Sequence, residues 1–153
     1  MKIKQILSKE TILSSLSAQT KEGVIKELAE LLVRRCPGIT PEVIASVLME
    51  REKLGSTGIG NGVAIPHGKL PQLPQIVTGF ARSVPGVPFE AQDGKSAHLF
   101  FVLLAPENAA SLHLKALARL SRLLKDIHFR NKLLEAKNED EIYSEIIAED
   151  EKF

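Results

Sequence analysis

The chain has 153 residues, of which 20 are basic, 19 are acidic and 44% are hydrophobic. This length suits one domain with its own core, so we expect residues 1–153 to form a single domain. The formal net charge of +1 argues against a general nucleic-acid binder, which needs a basic excess. The sequence contains neither an apolar run that could cross a membrane nor a signal-peptide pattern. Cys36 is the only cysteine, so no internal disulfide can form, and a lone thiol is typical of a reducing compartment. Together these features predict a cytoplasmic protein without membrane insertion.

Two helices are predicted in the first third of the chain. The preceding residues, 3–13, we interpret as a short docking segment rather than a long regular element. Apolar residues at steps of three and four predict a first helix over about 21–36. Thr40 is the expected N-cap of a second helix over about 41–53, with Pro41 at its first position, where a missing N–H costs nothing.

The middle of the chain is expected to form a sheet. Residues 97–104 are almost continuously apolar, which is typical of a strand buried on both faces. Residues 84–88 and 92–95 have the composition of turns. The predicted strands are 63–65, 76–83, 97–104 and a short one at Phe89.

Three further helices are predicted after Pro106. An apolar stripe covers 112–124, and 129–134 suggests a shorter helix. Asn138 begins a capping-box pattern that opens the last helix, and the acidic residues at about 149–153 are expected to fray. Strict alternation of strands and helices is absent, so we predict an α/β sandwich in which a mixed β-sheet is flanked by helices.

The segment from Gly55 to His67 is rich in glycine, and known nucleotide motifs can be tested on it. Asn61 and Gly62 stand where a P-loop needs Lys and then Ser or Thr, so nothing would hold the β- and γ-phosphates. A dinucleotide fingerprint would need Gly or Ala at position 63, which is Val63. The segment therefore does not fit a nucleotide-binding loop.

The same segment has features that suit an oxyanion. Glycines permit positive φ angles and close backbone approach, and successive N–H groups can form an anion nest. The residues that we expect to contribute to such a phosphate-binding loop are Ser56, Thr57, Gly58, Gly60 and Gly62. Arg51 adds a guanidinium suited to phosphate, and Pro66 fixes the backbone before His67. Spacing alone leaves two interpretations of His67: a phosphoryl acceptor, or an ordinary surface histidine beside a turn.

The segment from Arg51 to Lys69 closely resembles the active-site signature of enzyme IIA proteins of the mannitol–fructose class. The matching stretches are Arg-Glu-Lys at 51–53, Gly-Ser-Thr-Gly-Ile-Gly-Asn-Gly at 55–62 and Ala-Ile-Pro-His-Gly-Lys at 64–69. The likeness extends over nearly the whole chain and is strongest to the nitrogen-regulatory branch. It implies a mixed sheet flanked by helices and a bacterial phosphotransferase component without cofactor or metal.

The resemblance also implies roles for three residues. His67 would accept a phosphoryl group on Nε2 from the phosphohistidine of an HPr-like carrier protein. His113, near the start of a helix, matches the second active-site histidine, and Arg51 matches the signature arginine. Both would stabilise the phosphoryl group electrostatically.

Two functions follow from the resemblance, and they differ in the next partner. A nitrogen-regulatory member would control target proteins, such as potassium transporters and kinases, through its phosphorylation state. A sugar-uptake member would pass the group to a IIB unit for fructose- or mannitol-type transport. The absence of IIB or IIC sequence within the 153 residues favours the regulatory function.

A binding module that holds zinc through His67 and His113 is a third hypothesis. Two histidines are too few ligands for zinc unless Cys, Asp or Glu completes the set. His98 and His128 are expected to have structural or solvent-exposed roles. Four apolar residues are expected either in the core or around the site, namely Ile59, Val63, Leu70 and Leu73.

Overall fold

The structure is a computed structural model, and it describes all 153 residues. It contains six strands and five α-helices. The strands are β1 (Leu7–Leu13), β2 (Gly58–Gly60), β3 (Val63–Ala64), β4 (His67–Lys69), β5 (Val77–Val87) and β6 (Ala97–Ala105). The helices are α1 (Lys21–Leu32), α2 (Pro41–Lys53), α3 (Ala110–Leu123), α4 (Ile127–Glu135) and α5 (Glu139–Asp150). No helix combines the length and apolarity that crossing a bilayer requires.

The strands form one mixed sheet in the order β1-β5-β6-β3-β2, and β4 also pairs with β6. β5 and β6 are antiparallel, whereas β1 runs parallel to β5, and both β3 and β4 run parallel to β6. Because β3 and β4 follow one another along the same edge of β6, His67 lies opposite Leu103. The topology thus sets the histidine against the most buried strand of the sheet.

Helices cover both faces of this sheet, which confirms the predicted α/β sandwich. Alternate residues of β6 point to opposite faces, as the period of a strand requires. Phe100, Val102 and Leu104 pack in the core beneath α1 and α2. Leu99 and Phe101 belong to the second core, which α3, α4 and α5 cover. β6 is therefore buried on both sides, as its apolar sequence predicts.

Helix capping follows the sequence closely in this protein. Thr20 and Thr40 accept hydrogen bonds from the backbone N–H groups of Gly23 and Val43 and so begin α1 and α2. Asn138 accepts from the N–H of Glu141 at 2.9 Å and begins α5. Each of these side chains satisfies a donor that the helix leaves unpaired.

The N-terminal prediction was wrong, because residues 7–13 form an edge strand and not a docking segment. Leu7 pairs with Thr78 and Ile12 with Phe80, so β1 advances by five positions where β5 advances by two. This irregular register removes the alternation that identifies a strand in sequence.

The predicted turn at 84–88 and the strand at Phe89 were also wrong. β5 continues through Val87, and its register to β6 shifts between Arg82 and Val87. Gly86 has a φ of +86°, which permits the irregular backbone there. Phe89 follows the strand as a fully buried core residue.

The acidic tail is packed and not frayed at its first two residues, which corrects the prediction for 149–153. Glu149 and Asp150 are buried in the last turn of α5. The Asp150 carboxylate accepts a hydrogen bond from the Ile3 N–H at 2.7 Å and forms an ion pair with Arg119. These contacts supply partners that the sequence does not reveal.

Candidate active site

His67 and His113 meet at a cavity of about 570 Å³ between α2, β4 and the start of α3. Their rings are arranged edge to face, with centroids 5.5 Å apart. The two histidines are 46 positions apart in sequence, and the sheet topology brings them together. The cavity is lined by Val47, Glu50, Arg51, Leu54, His67, Gly68, Lys69, Ala110, His113 and Leu114.

The tautomer of His67 is fixed by a backbone carbonyl. Its Nδ1 lies 2.7 Å from the oxygen of Ile65, and a carbonyl can only accept, so Nδ1 carries the proton. Nε2 is consequently left with its lone pair in the neutral ring. Burial lowers the pKa of His67, and the Arg51 guanidinium lowers it further, whereas the Ile65 hydrogen bond and Glu52 oppose the change. The neutral ring, which is the nucleophilic form, is therefore favoured near pH 7.

His113 contributes a second imidazole from the first turn of α3. The residue is 6% exposed, and its Nε2 is buried without a hydrogen-bond partner. Burial lowers the pKa of His113, with smaller contributions from His67 and Lys69. A buried polar atom without a partner is costly, and a bound oxyanion would remove this cost by accepting a hydrogen bond from a protonated Nε2.

Arg51 is half-buried in the last turn of α2 and lines the same cavity. Its Nη1 donates to the carbonyl oxygen of Gly55 at 2.9 Å. Glu52, the next residue, points the other way into the protein. Its carboxylate pairs with Lys21 Nζ at 2.7 Å and accepts from the backbone N–H and the hydroxyl of Thr57. This buried carboxylate fixes the segment just beyond α2, and Arg51 donates its hydrogen bond to Gly55 of that segment.

The structure does not bring the predicted phosphate-binding loop to the cavity, because none of its five residues lines that space. The Ser56 hydroxyl donates to the Phe89 carbonyl at 2.6 Å, and Thr57 is buried against Glu52. Gly58 and Gly60 lie in β2, and Gly62 lies in the turn between β2 and β3. A Cβ on Gly58 would crowd the Cβ and Cα atoms of Ala91, so close packing explains this glycine. The segment forms a hairpin in which the hydroxyl groups of Ser56 and Thr57 already donate hydrogen bonds within the protein.

The remaining residues that the sequence singled out lie outside the cavity. His98 is half-buried with Nδ1 3.1 Å from the Ser83 carbonyl, and His128 is exposed on α4. Neither lines the cavity. Of the four apolar residues, Val63, Leu70 and Leu73 are core, and Ile59 is 40% exposed. No group of three or more His, Cys, Asp or Glu side chains is arranged as metal ligands.

Several residues of the cavity were not anticipated from the sequence. Leu54 and Leu114 form an apolar rim, with 85% and 68% of their surface exposed. Glu50 and Lys69 add charges of opposite sign. Lys69 could have been placed at the site from the sequence, because residues two apart in a strand, such as 67 and 69, project from the same face. No sequence pattern links Leu114 to this surface, because its place depends on the packing of α3.

Comparison with known proteins identifies the family of this chain. Residues 5–149 match the family described as "Phosphoenolpyruvate-dependent sugar phosphotransferase system, EIIA 2". A nitrogen regulatory protein of Bradyrhizobium diazoefficiens is 44% identical over 144 residues, which cover 94% of each chain. The structure of nitrogen regulatory protein IIA-Ntr from Neisseria meningitidis superimposes with a TM-score of 0.89 at 35% identity, covering 94% of this chain and 98% of that one. A fructose-specific EIIABC component of Bacillus subtilis is 41% identical over 93% of this chain but only 22% of its own length.

The fold and the paired histidines thus define an enzyme IIA protein, and the chain belongs to the EIIA 2 family of the phosphotransferase system. It is a phosphocarrier of that system. The nitrogen-regulatory type is favoured over a sugar-uptake component, because nitrogen regulatory proteins of several bacteria match this chain at 32–44% identity over more than 90% of their own length.

Proposed function

We propose that Nε2 of His67 accepts a phosphoryl group from the phosphohistidine of an HPr-like carrier protein. The observation that carries this proposal is the hydrogen bond from Nδ1 to the Ile65 carbonyl, which leaves Nε2 as the only ring nitrogen with a lone pair. The Nε2 lone pair forms the new P–N bond as the donor's P–N bond breaks, and the electron pair of that bond stays on the donor nitrogen. No metal is required, because the donor is already an activated phosphoramidate.

His113 and Arg51 are proposed to stabilise the transferred group. Phosphoryl transfer depends on positioning and on neutralising charge over three oxygens, and both side chains line the space beside His67. The unpartnered Nε2 of His113 can donate to a phosphoryl oxygen when it carries the proton. Arg51 is held in place by its contact with Gly55 and keeps further N–H groups for the phosphoryl group.

The output of this reaction is proposed to be regulatory. Phosphorylation adds about −1.5 to −2 charges at neutral pH to a cavity whose rim is apolar. Leu54 and Leu114 are large apolar side chains that stay mostly exposed, which suits a transient docking surface. A target protein that docks there would distinguish the two states by the phosphoryl charge. We place this exchange in the cytoplasm, where an unpaired buried thiol such as Cys36 stays reduced.

Incubation with a phosphorylated HPr-like protein tests the proposal. The wild type should acquire acid-labile, base-stable phosphate on one imidazole nitrogen, which ³¹P NMR assigns to Nε2. His67→Ala should remove the labelling, and His113→Ala should slow it by about 100-fold. His98→Ala is the matched control, because it removes a half-buried histidine outside the cavity. Undiminished labelling of His67→Ala, or phosphate on Nδ1, would contradict the proposal.

A sugar-uptake component is the second function, and the 41% identity to the fructose-specific component is the observation that favours it. In that case the phosphoryl group moves on to a cysteine of a IIB unit. Phosphorylated wild-type protein should then lose its label rapidly to a purified fructose-type IIB protein. Retention of the label in the presence of IIB, together with target binding that depends on phosphorylation, supports the regulatory function instead.

A further inference from the structure

We infer that Lys69 is a third phosphoryl-binding residue, which rests on the proposed function of His67. Lys69 ends β4 two residues after His67, and residues at this spacing project from the same face of a strand. Both side chains line the cavity together with His113. The intervening Gly68 also borders the cavity, and a Cβ at this position would overlap with Val47 of α2. The strand therefore directs an imidazole and an ammonium group into one space.

Lys69 has no anionic partner in the unphosphorylated protein. It is exposed, and none of the ion pairs of the structure includes it. Its charge nevertheless acts on the site, because it contributes to the lowered pKa of His113 after burial and His67. A free cation in the cavity that His67 and His113 line is thus available for the phosphoryl oxygens.

The charges around the cavity indicate why a third cation matters. Three charged side chains line it, Glu50, Arg51 and Lys69, and they sum to +1. A phosphoryl group brings about −1.5 to −2 charges at neutral pH. Arg51 already donates one N–H group to Gly55, and Glu50 repels the phosphoryl group. Without Lys69 the phosphorylated cavity would carry a net charge of about −1.5 to −2, whereas with Lys69 the net charge is about −0.5 to −1.

The test uses the isolated phosphorylated protein, so that donor docking plays no part. The pKa of the phosphoryl group is measured by ³¹P NMR titration in the wild type, Lys69→Met, Lys69→Gln and Lys69→Arg. Loss of the cation should raise this pKa in both neutral variants, and Lys69→Arg should restore the wild-type curve. In a separate assay with the phosphorylated donor, in which docking does contribute, the second-order rate of phosphoryl acceptance should fall about fivefold in the neutral variants.

Lys53→Met is the matched control, because Lys53 is an exposed lysine at the end of α2 that does not line the cavity. It should titrate like the wild type. Neutral Lys69 variants that titrate like the wild type, or a shift of equal size in Lys53→Met, would overturn the inference while leaving His67 as the acceptor. A wild-type protein that accepts no phosphoryl group would overturn both proposals.

Discussion

Val47 of α2 packs directly over the Cα of Gly68 in β4, with the valine Cγ1 in the space that a Cβ of residue 68 would fill. Both residues line the cavity, so this contact sets the distance between the helix that carries Arg51 and the strand that carries His67. A glycine is required here for close approach and not for an unusual φ angle.

Gly68→Ala should therefore destabilise the protein by about 1–3 kcal/mol and slow phosphoryl acceptance, because the new methyl group forces α2 away from β4. Chemical denaturation and the labelling rate measure the two effects. Val47→Ala removes the clashing methyl group, so the double variant should be more stable than the sum of the single effects predicts. Additive effects would show that the contact does not control the spacing.

Glu52→Gln should destabilise the protein by about 3 kcal/mol, because it leaves Lys21 without its buried partner and weakens the hold on Thr57. Labelling of His67 should slow as well, since Arg51 donates a hydrogen bond to Gly55 in the segment that Glu52 holds. Glu90→Gln is the comparison, because Glu90 pairs with the same lysine at 3.2 Å but is 81% exposed. Its loss should cost less than about 1 kcal/mol. Equal effects of the two substitutions would contradict this account.

Phosphoryl acceptance should be nearly independent of pH from about 8 to 6.5 and should decline only at lower pH. The reason is that burial, with Arg51, lowers the pKa of His67 below the usual histidine value of about 6.5. Arg51→Gln should move the decline to higher pH, because it removes one cause of the shift. The rate of phosphoryl acceptance as a function of pH and an NMR titration of the His67 ring measure these effects. A profile of Arg51→Gln displaced to lower pH would contradict the assignment.

The same shifts should appear in the pH dependence of stability. The pKa values of His67 and His113 are both lowered in the folded protein, so the unfolded chain binds protons more readily. The free energy of unfolding should therefore fall as the pH drops through about 6.5 towards the folded pKa values, and this contribution is fully present above that range. The double variant His67→Ala, His113→Ala should lose stability less steeply over this interval. An unchanged slope would show that neither ring contributes.

Arg82→Met should cost about 3 kcal/mol of stability, because Arg82 is a buried cap for the end of α4. Its Nη1 donates to the carbonyl oxygens of Leu133 and Ala136 at 2.8 and 2.7 Å. Arg130 makes similar contacts at the end of α3 but is only half-buried, so Arg130→Met should have a smaller effect. Thermal denaturation of the two variants provides the comparison, and a larger effect in Arg130→Met would contradict it.

Local sequence determined the helix starts and the central strand of this protein. Threonine and asparagine caps act within three residues, and the uninterrupted apolar run of β6 can be satisfied only by burial on both faces. The edge strand β1 and the far half of β5 were missed because bulges break their alternation, and a bulge is stabilised by its partner strand. Asp150 looked like part of a loose acidic tail, because its partners Ile3 and Arg119 are distant in sequence.

The sequence by itself determined that His67 stands out, since the signature around it is local and continuous. Only the tertiary structure decided what surrounds it. The glycines that suggested a phosphate loop form a hairpin outside the cavity, and α3 brings His113 and Leu114 to the site instead. The Ile65 carbonyl fixes which nitrogen is free, and Lys69 follows His67 into the cavity. Hydrogen-bond direction and packing across the sheet depend on distances that a linear pattern does not contain.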